Sequence, residues 1–456
     1  MSAGVVERVD RRRIGVVGGG LSGMAAAWML DRAGFDVELI ERDPHVGGRS
    51  QSGALGERSV TFGGKNIGHR YSLFREFTAA MGDNPYEPFG INASPVIDGE
   101  VRTFDGNRRV RSFGRFARDA RPQDILRVAP LAARVARAEQ HRFLGSDYFA
   151  AVGRRHDHRP LSTWFSERFA STVLRAITVR MNGAEPDEVW LGNFGSNLGM
   201  LLDSYDQLTH GVARVAEQFE ARYRVRTDTE VTELVWDAEG AARGVMVRAP
   251  GGEELRLDYD GIVLALPAGA AARLVRGRDP LLSAHLAEVR YCPGAVALVE
   301  YDRSVFSRAV RGLAFPAGSP LSNAGAYGVE DRHIVRYTFS GRAARSWLGE
   351  GFDPEALVAE AEGQVAAHLP VHDASRLRIV ARQWPTAYCA YVADHASWRA
   401  QLAARVAAVR GLELTGDYLR GVSIEACFRA ARDCAGTLAA STPAPLHPAV
   451  PTAADG

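Results

Sequence analysis

The feature that most constrains this chain is the hexapeptide Gly18-Gly19-Gly20-Leu21-Ser22-Gly23. It fits G-x-G-x-x-G, a pattern that is weak alone and gains force from its neighbours. Residues 14–17 are a short β-branched run, residues 37–40 are another, and residues 21–33 between them are rich in helix formers. The order is strand, glycine turn, helix, strand, which predicts a βαβ unit. Gly18 suits the tight turn, Gly20 lets a backbone approach a pyrophosphate, and Gly23 permits close packing of helix on strand. Leu21 and Ser22 open the helix, whose N-terminus would face the phosphates. Glu41 stands at the end of the second strand. A carboxylate there can accept hydrogen bonds from a ribose diol and disfavours a 2′-phosphate, so NADP fits poorly. A dinucleotide-binding α/β protein is the expectation.

Length and composition agree. A chain of 456 residues suggests two or three domains, or two interleaved ones. With 46% hydrophobic and 24% charged residues, it is not a disordered chain. A net charge of +1 lacks the broad basic footprint of a nucleic-acid binder. No apolar run reaches the ~18 residues of a membrane-spanning helix. Residues 1–10 lack the apolar core of a secretory signal. Cys292, Cys389, Cys427 and Cys434 are scattered and form no CxxC, so neither a metal site nor a disulfide framework is encoded. A cytoplasmic location is expected. The tail from 442 to 456, with Pro443, Pro445, Pro448 and Pro451, reads as disordered.

The run Glu41-Arg42-Asp43-Pro44-His45-Val46-Gly47-Gly48-Arg49 resembles the E-x(5)-G-G-R segment of the flavin-containing amine oxidase and protoporphyrinogen oxidase superfamily. There the glycines and the arginine lie along the FAD pyrophosphate, and an arginine suits a phosphate. Further segments resemble the same family. Gly63-Gly64 is similar to its glycine pair beside the flavin ring. Residues 225–235, with Val231 central, resemble the strand whose valine backbone holds the adenine. Residues 260–267 resemble the strand that rejoins the FAD domain. Residues 291–301 and 384–391 resemble its substrate-domain strands. Gly416-Asp417, then Ser423-Ile424-Glu425, resemble the terminal motif, in which the acid contacts the ribityl chain and a helix N-terminus points at the flavin. The resemblance implies FAD as cofactor and a Rossmann-like FAD domain interleaved with an α+β substrate domain. The FAD domain would take 10–82, 206–270 and 395–441, and the substrate domain 83–205 and 271–394. It also implies an FAD-dependent oxidoreductase that moves a hydride from a small organic substrate to flavin N5, with dioxygen as one candidate acceptor. A redox-neutral isomerase or cyclase, an aromatic hydroxylase, and a flavin-free binding module of the GDP-dissociation-inhibitor type are alternatives. The monoamine-oxidase-like subgroup places a lysine on the strand that here reads Gly294-Ala295-Val296-Ala297-Leu298-Val299, and an aromatic near Ser423. Neither is present.

Of 55 residues counted as Lys or Arg, one is lysine, Lys65. It follows Gly63-Gly64, where the resemblance brings the chain past the flavin. A lysine loses its charge on burial more readily than an arginine, so Lys65 is a candidate acid, base or oxyanion stabiliser. The other reading is a solvated loop lysine. His69 could relay protons and Arg70 could hold a carboxylate or phosphate; each could equally be a surface residue. Tyr388 could line the pocket over the flavin or be core. Cys389 and Cys427 read as buried small hydrophobes. Residues 108–142 carry ten arginines against three acids. Such a segment could contact a membrane or a carrier protein, although a solvated helical face is the favoured reading.

Overall fold

The strands Arg13–Val17 and Asp36–Ile40 are buried on both faces beyond their first residue, the pattern of interior strands in a parallel sheet. The computed structural model describes residues 11–90, 93–103 and 120–440. The expected disordered tail and residues 108–119 of the basic segment lie outside these. Five parallel strands form the first sheet, in the order Arg224–Arg226, Asp36–Ile40, Arg13–Val17, Gly261–Leu264, Leu412–Leu414. They come from three distant stretches of chain.

Alternation along these strands builds two cores. Ile14, Val16, Leu39 and Val263 face one side and pack under the helices Leu21–Arg32, Ser72–Met81, Gly211–Arg222 and Ile424–Ala440. Val17, Ile40, Ile262 and Leu264 face the other. That side carries a three-stranded antiparallel sheet (Glu230–Trp236, Ala242–Arg248, Glu254–Asp258) and the helices Ala268–Val275 and His395–Ala407. Helix Leu21–Arg32 is rich in alanine on its buried side, which lets it lie close to Ile424–Ala440. It stops where Gly34 takes a φ of +93°.

A second, seven-stranded sheet has the order Arg376–Tyr391, Arg290–Tyr301, Ile334–Phe339, Leu321–Ala326, Gly312–Ala314, Ser94–Ile97, Glu100–Val101. All its pairings are antiparallel except that of Gly312–Ala314 with Ser94–Ile97. Helix Pro354–Ala366 covers one face. Described residues between 120 and 204 are mainly helical and form their own apolar cluster around Phe149, Leu161 and Phe194. The expected strands at 291–301 and 384–391 are both present; the latter extends back to Arg376. No helix among the described residues is long and apolar enough to cross a membrane.

Candidate active site

One cleft of ≈ 1260 Å³ runs from the glycine turn to the seven-stranded sheet. It exceeds the ~300–1,000 Å³ of a drug-sized ligand's pocket. Gly18, Gly20, Leu21, Ser22, Glu41, Arg42, Gly48, Arg49, Gly63, Gly64, Lys65, Val231, Gly416, Asp417, Ser423 and Ile424 all border it. Gly23 does not: it packs underneath, where a Cβ would stand 1.8 Å from the Gly18 carbonyl oxygen.

The glycine-turn end fits a dinucleotide. No side chain caps helix Leu21–Arg32, and its first turn holds no acid. Its opening N–H groups therefore keep donors for an anion in the cleft. A Cβ on Gly20 would meet no protein atom within 4 Å, so the space over that residue is open to a ligand. Glu41 is buried, and its carboxylate accepts the Gly19 N–H at 2.5 Å and the Asp43 N–H at 2.9 Å. A carboxylate has roughly four lone-pair sites, so capacity remains for a ribose diol. Burial raises the Glu41 pKa, and the two N–H bonds oppose it.

Arg49 borders the cleft and is paired with an acid. Its Nη1 lies 2.8 Å from Asp417 Oδ2 and also reaches the Thr386 and Ala387 carbonyls. Tyr291 donates to Asp417 Oδ1 at 2.7 Å. Burial works to lower the Arg49 pKa, and Asp417 outweighs it, so the guanidinium stays charged. The buried pair needs both partners for that balance. Asp417, expected at the ribityl chain, is thus shared with Arg49 and Tyr291. Arg42 is largely exposed and lies 3.7 Å from Asp43. Ser423 Oγ accepts the Ala426 N–H at 3.1 Å and so starts the last helix at the cleft wall.

Lys65 is buried, not a solvated loop residue. Its Nζ donates to Gln207 Oε1 at 2.6 Å and to the Tyr327 carbonyl at 2.7 Å. Gln207 donates in turn to Glu87, and Glu87 is paired with Arg58 at 2.5 Å. The Nζ also sits 3.3 Å from the Phe89 ring centroid, a contact that favours the ammonium. Against this, burial drives the Lys65 pKa well below the usual lysine range, with Arg336, Arg180 and Arg311 adding repulsion and Glu87 opposing. Two acceptors occupy two of its N–H bonds, and the residue still borders the cleft.

His69 and Arg70 do not reach the cleft. Both are exposed, and His69 Nε2 lies 3.1 Å from Asp206 Oδ1. The chain turns outward after the strand Ile67–Gly68, so closeness to Lys65 in sequence does not carry over to space. Tyr388 borders the cleft, its ring seated against Gly183 and Gly294, and burial raises its pKa. Cys389 and Cys427 both border the cleft; Cys389 is buried and Cys427 half-buried, so Cys427 is not simply core. Burial lifts the Cys427 thiol to about 11. No residue from 121 to 142 borders the cleft. Sequence reasoning missed Arg180, Arg311, Arg336, Gln207 and Tyr291. No local motif marks them, and an arginine cannot stand out in a chain that uses arginine for nearly every cation.

The family model of the flavin containing amine oxidoreductases matches residues 21–439. A protein of Mycobacterium tuberculosis assigned by name to the flavin-containing monoamine oxidases is 27% identical over 284 residues. That match covers 59% of this chain and 59% of the relative, so the chain spans less than two thirds of that relative's length. Cyclohexylamine oxidase from Brevibacterium oxydans superposes with a TM-score of 0.68 at 17% identity, covering 94% of this chain and 99% of that one. A fatty acid isomerase from P. acnes superposes with a TM-score of 0.66 at 14% identity, covering 93% and 98%. These similarities show a shared fold. The chain belongs to the flavin-containing amine oxidoreductases, a family of FAD-dependent enzymes.

Proposed function

We propose that this chain is an FAD-dependent oxidase or dehydrogenase that oxidises a small organic molecule, with dioxygen as an acceptor. The observation that carries the reading is the continuity of one cleft. It joins the uncapped helix start, Glu41 and the Arg49–Asp417 pair to a lysine-bearing pocket against the second sheet. FAD, when bound, supplies the hydride-accepting ring.

The chain's own residues have separable tasks. Gly18, Gly20, Leu21 and Ser22 offer backbone room and N–H donors to the pyrophosphate, Glu41 holds a ribose diol, and the backbone around Val231 borders the adenine end. Gly48, Gly63, Gly64, Gly416, Ser423 and Ile424 shape the remaining wall. Asp417, fixed by Arg49 and Tyr291, would hold the sugar chain of a bound FAD. Lys65 takes the proton that a substrate releases as its hydride departs, a role suited to an amine whose pKa burial has lowered. Tyr388 closes the pocket beside it. His69 and Arg70 have no part.

The domain reading proposed is an FAD part formed by 10–82, 206–270 and 395–441 and a substrate part formed by 83–205 and 271–394. In its support, every strand of the five-stranded sheet falls in the first set and every strand of the seven-stranded sheet in the second.

Lys65→Arg keeps the charge and cannot give up its proton. We expect wild-type kcat to rise with pH through an ionisation below the normal lysine value. Lys65→Arg should lose that ionisation and fall by roughly 10²–10⁴-fold. A Lys65→Arg variant with the wild-type rate across the pH range would remove the proton-transfer role. Peroxide release on substrate addition tests dioxygen as acceptor.

A further inference from the structure

We propose that the substrate is an organic carboxylate, bound by the guanidinium groups of Arg180 and Arg336 beside Lys65. This rests on the reading of the cleft as an FAD site and names what its far end takes.

Arg180 comes from helix Arg175–Asn182, Arg336 from strand Ile334–Phe339, and Arg311 from the turn before strand Gly312–Ala314. Three separate segments thus deliver cations to the cavity that Lys65 borders. The Arg180 side chain has no hydrogen bond or ion pair among the described residues, and its surface opens on the cleft. Arg336 donates to the Phe62 carbonyl through Nη2 at 2.5 Å, while its Nε is buried with no partner. No carboxylate stands among the charges that act on either residue. Burial lowers both pKa values, and two tyrosines stand near each guanidinium instead of an acid.

Two other arginines have an acid partner: buried Arg175 has Glu185 at 2.9 Å, and half-buried Arg49 has Asp417 at 2.8 Å. Among the described residues, the acids that border the cleft are Glu41, Asp43, Glu230 and Asp417. Asp417 belongs to the Arg49 pair, and the other three follow the first sheet at the glycine-turn end. None of them acts on Arg180 or Arg336. A desolvated cation without a counter-ion is costly, so the far end is completed by an anion from solution. Two planar guanidinium forks match a carboxylate better than a single point charge does. Phe89, Leu313 and Tyr388 beside them suit an apolar body on that anion. An ammonium substrate would be repelled by the guanidinium groups of Arg180 and Arg336. The pyrophosphate of the cofactor would lie at the uncapped helix start, away from Arg180 and Arg336.

The test uses the full-length holoenzyme and two charge-matched series: benzoate, benzamide and benzylamine, then 3-phenylpropanoate with its amide and amine. Binding is read from the perturbation of the flavin absorbance bands, after flavin content has been measured. In each series the carboxylate should bind at least tenfold more tightly than the amide, and the amine not at all. Arg180→Gln should weaken carboxylate binding by roughly 10- to 100-fold at unchanged flavin content. Arg180→Glu should reverse the order within a series. If no carboxylate binds more tightly than its amide, or if Arg180→Gln leaves carboxylate binding intact, the proposal is wrong. Loss of flavin from Arg180→Gln would instead assign the arginine to the cofactor and also overturn it. A wild-type protein that holds no flavin would refute the FAD reading itself, a result separable from the outcomes above.

Discussion

At the scale of single residues, burial without a countercharge sets the chemistry, inside the cleft and outside it. Lys65 is the case inside. Glu413 is the case outside: it lies on the edge strand Leu412–Leu414, and burial alone lifts its carboxyl to about 7. An unfolded glutamate titrates near its model value of 4.5. Between pH 4.5 and about 7 the native state therefore holds a proton that the unfolded state has lost. Stability is greatest below that window and falls as pH rises through it. Glu413→Gln should abolish this dependence and stabilise the protein above pH 7 by on the order of 2 kcal/mol. Denaturant unfolding at pH 5 and pH 8 measures it, and equal stability changes at both would contradict the assignment. These residues differ in how visible they are in the sequence. Lys65 stands out because it is the single lysine. Arg180 and Arg336 are hidden among similar arginines, and Glu413 carries no pattern at all. His69 and Arg70 mislead because adjacency along the chain ignores the outward turn after Gly68.

At the scale of elements, the turn between Arg13–Val17 and Leu21–Arg32 separates folding from binding. Gly18 takes a φ of +104°, and a Cβ there would stand 2.7 Å from the Ala265 carbonyl oxygen. Gly23→Ala would press on the Gly18 carbonyl and part helix from strand, at a cost of about 1–3 kcal/mol. Gly20→Ala meets no protein atom. It should melt as the wild-type apoprotein does, yet bind FAD roughly tenfold or more weakly, ~1.4 kcal/mol. Thermal unfolding of both apoproteins, with FAD titration, checks the pair. Equal FAD affinity in Gly20→Ala and wild type would move the pyrophosphate elsewhere. This βαβ unit was legible because residues 14–17 and 37–40 are largely apolar and its glycines bear on each other locally. The long strand Arg376–Tyr391 was legible only from Trp384 onward. Its first half carries Arg376, Arg378 and Arg382, which masks the alternation. Those charges are met across strands or loops, as by Glu300 to Arg378 at 2.6 Å.

At the scale of the whole molecule, two sheets of different kinds share one cleft. The parallel sheet draws its strands from the start, middle and end of the chain, so its assembly depends on contacts remote in sequence. Motifs reveal such a sheet only where a ligand imposes them: Gly18 to Gly23, Glu41 to Arg49, and Gly416 to Ile424. The seven-stranded sheet has no such imposed residues, and the polar groups on its cleft face became visible only with the fold. The fold itself does not set substrate charge, since a cyclohexylamine oxidase and a fatty acid isomerase share it. The central claim is that this cleft holds FAD along its length. The most direct measurement is the absorbance spectrum and flavin content of the purified full-length protein, before and after incubation with FAD. The account predicts oxidised-flavin bands at one FAD per chain, with the affinity lowered in Gly20→Ala. A colourless protein that takes up no FAD on reconstitution would contradict it.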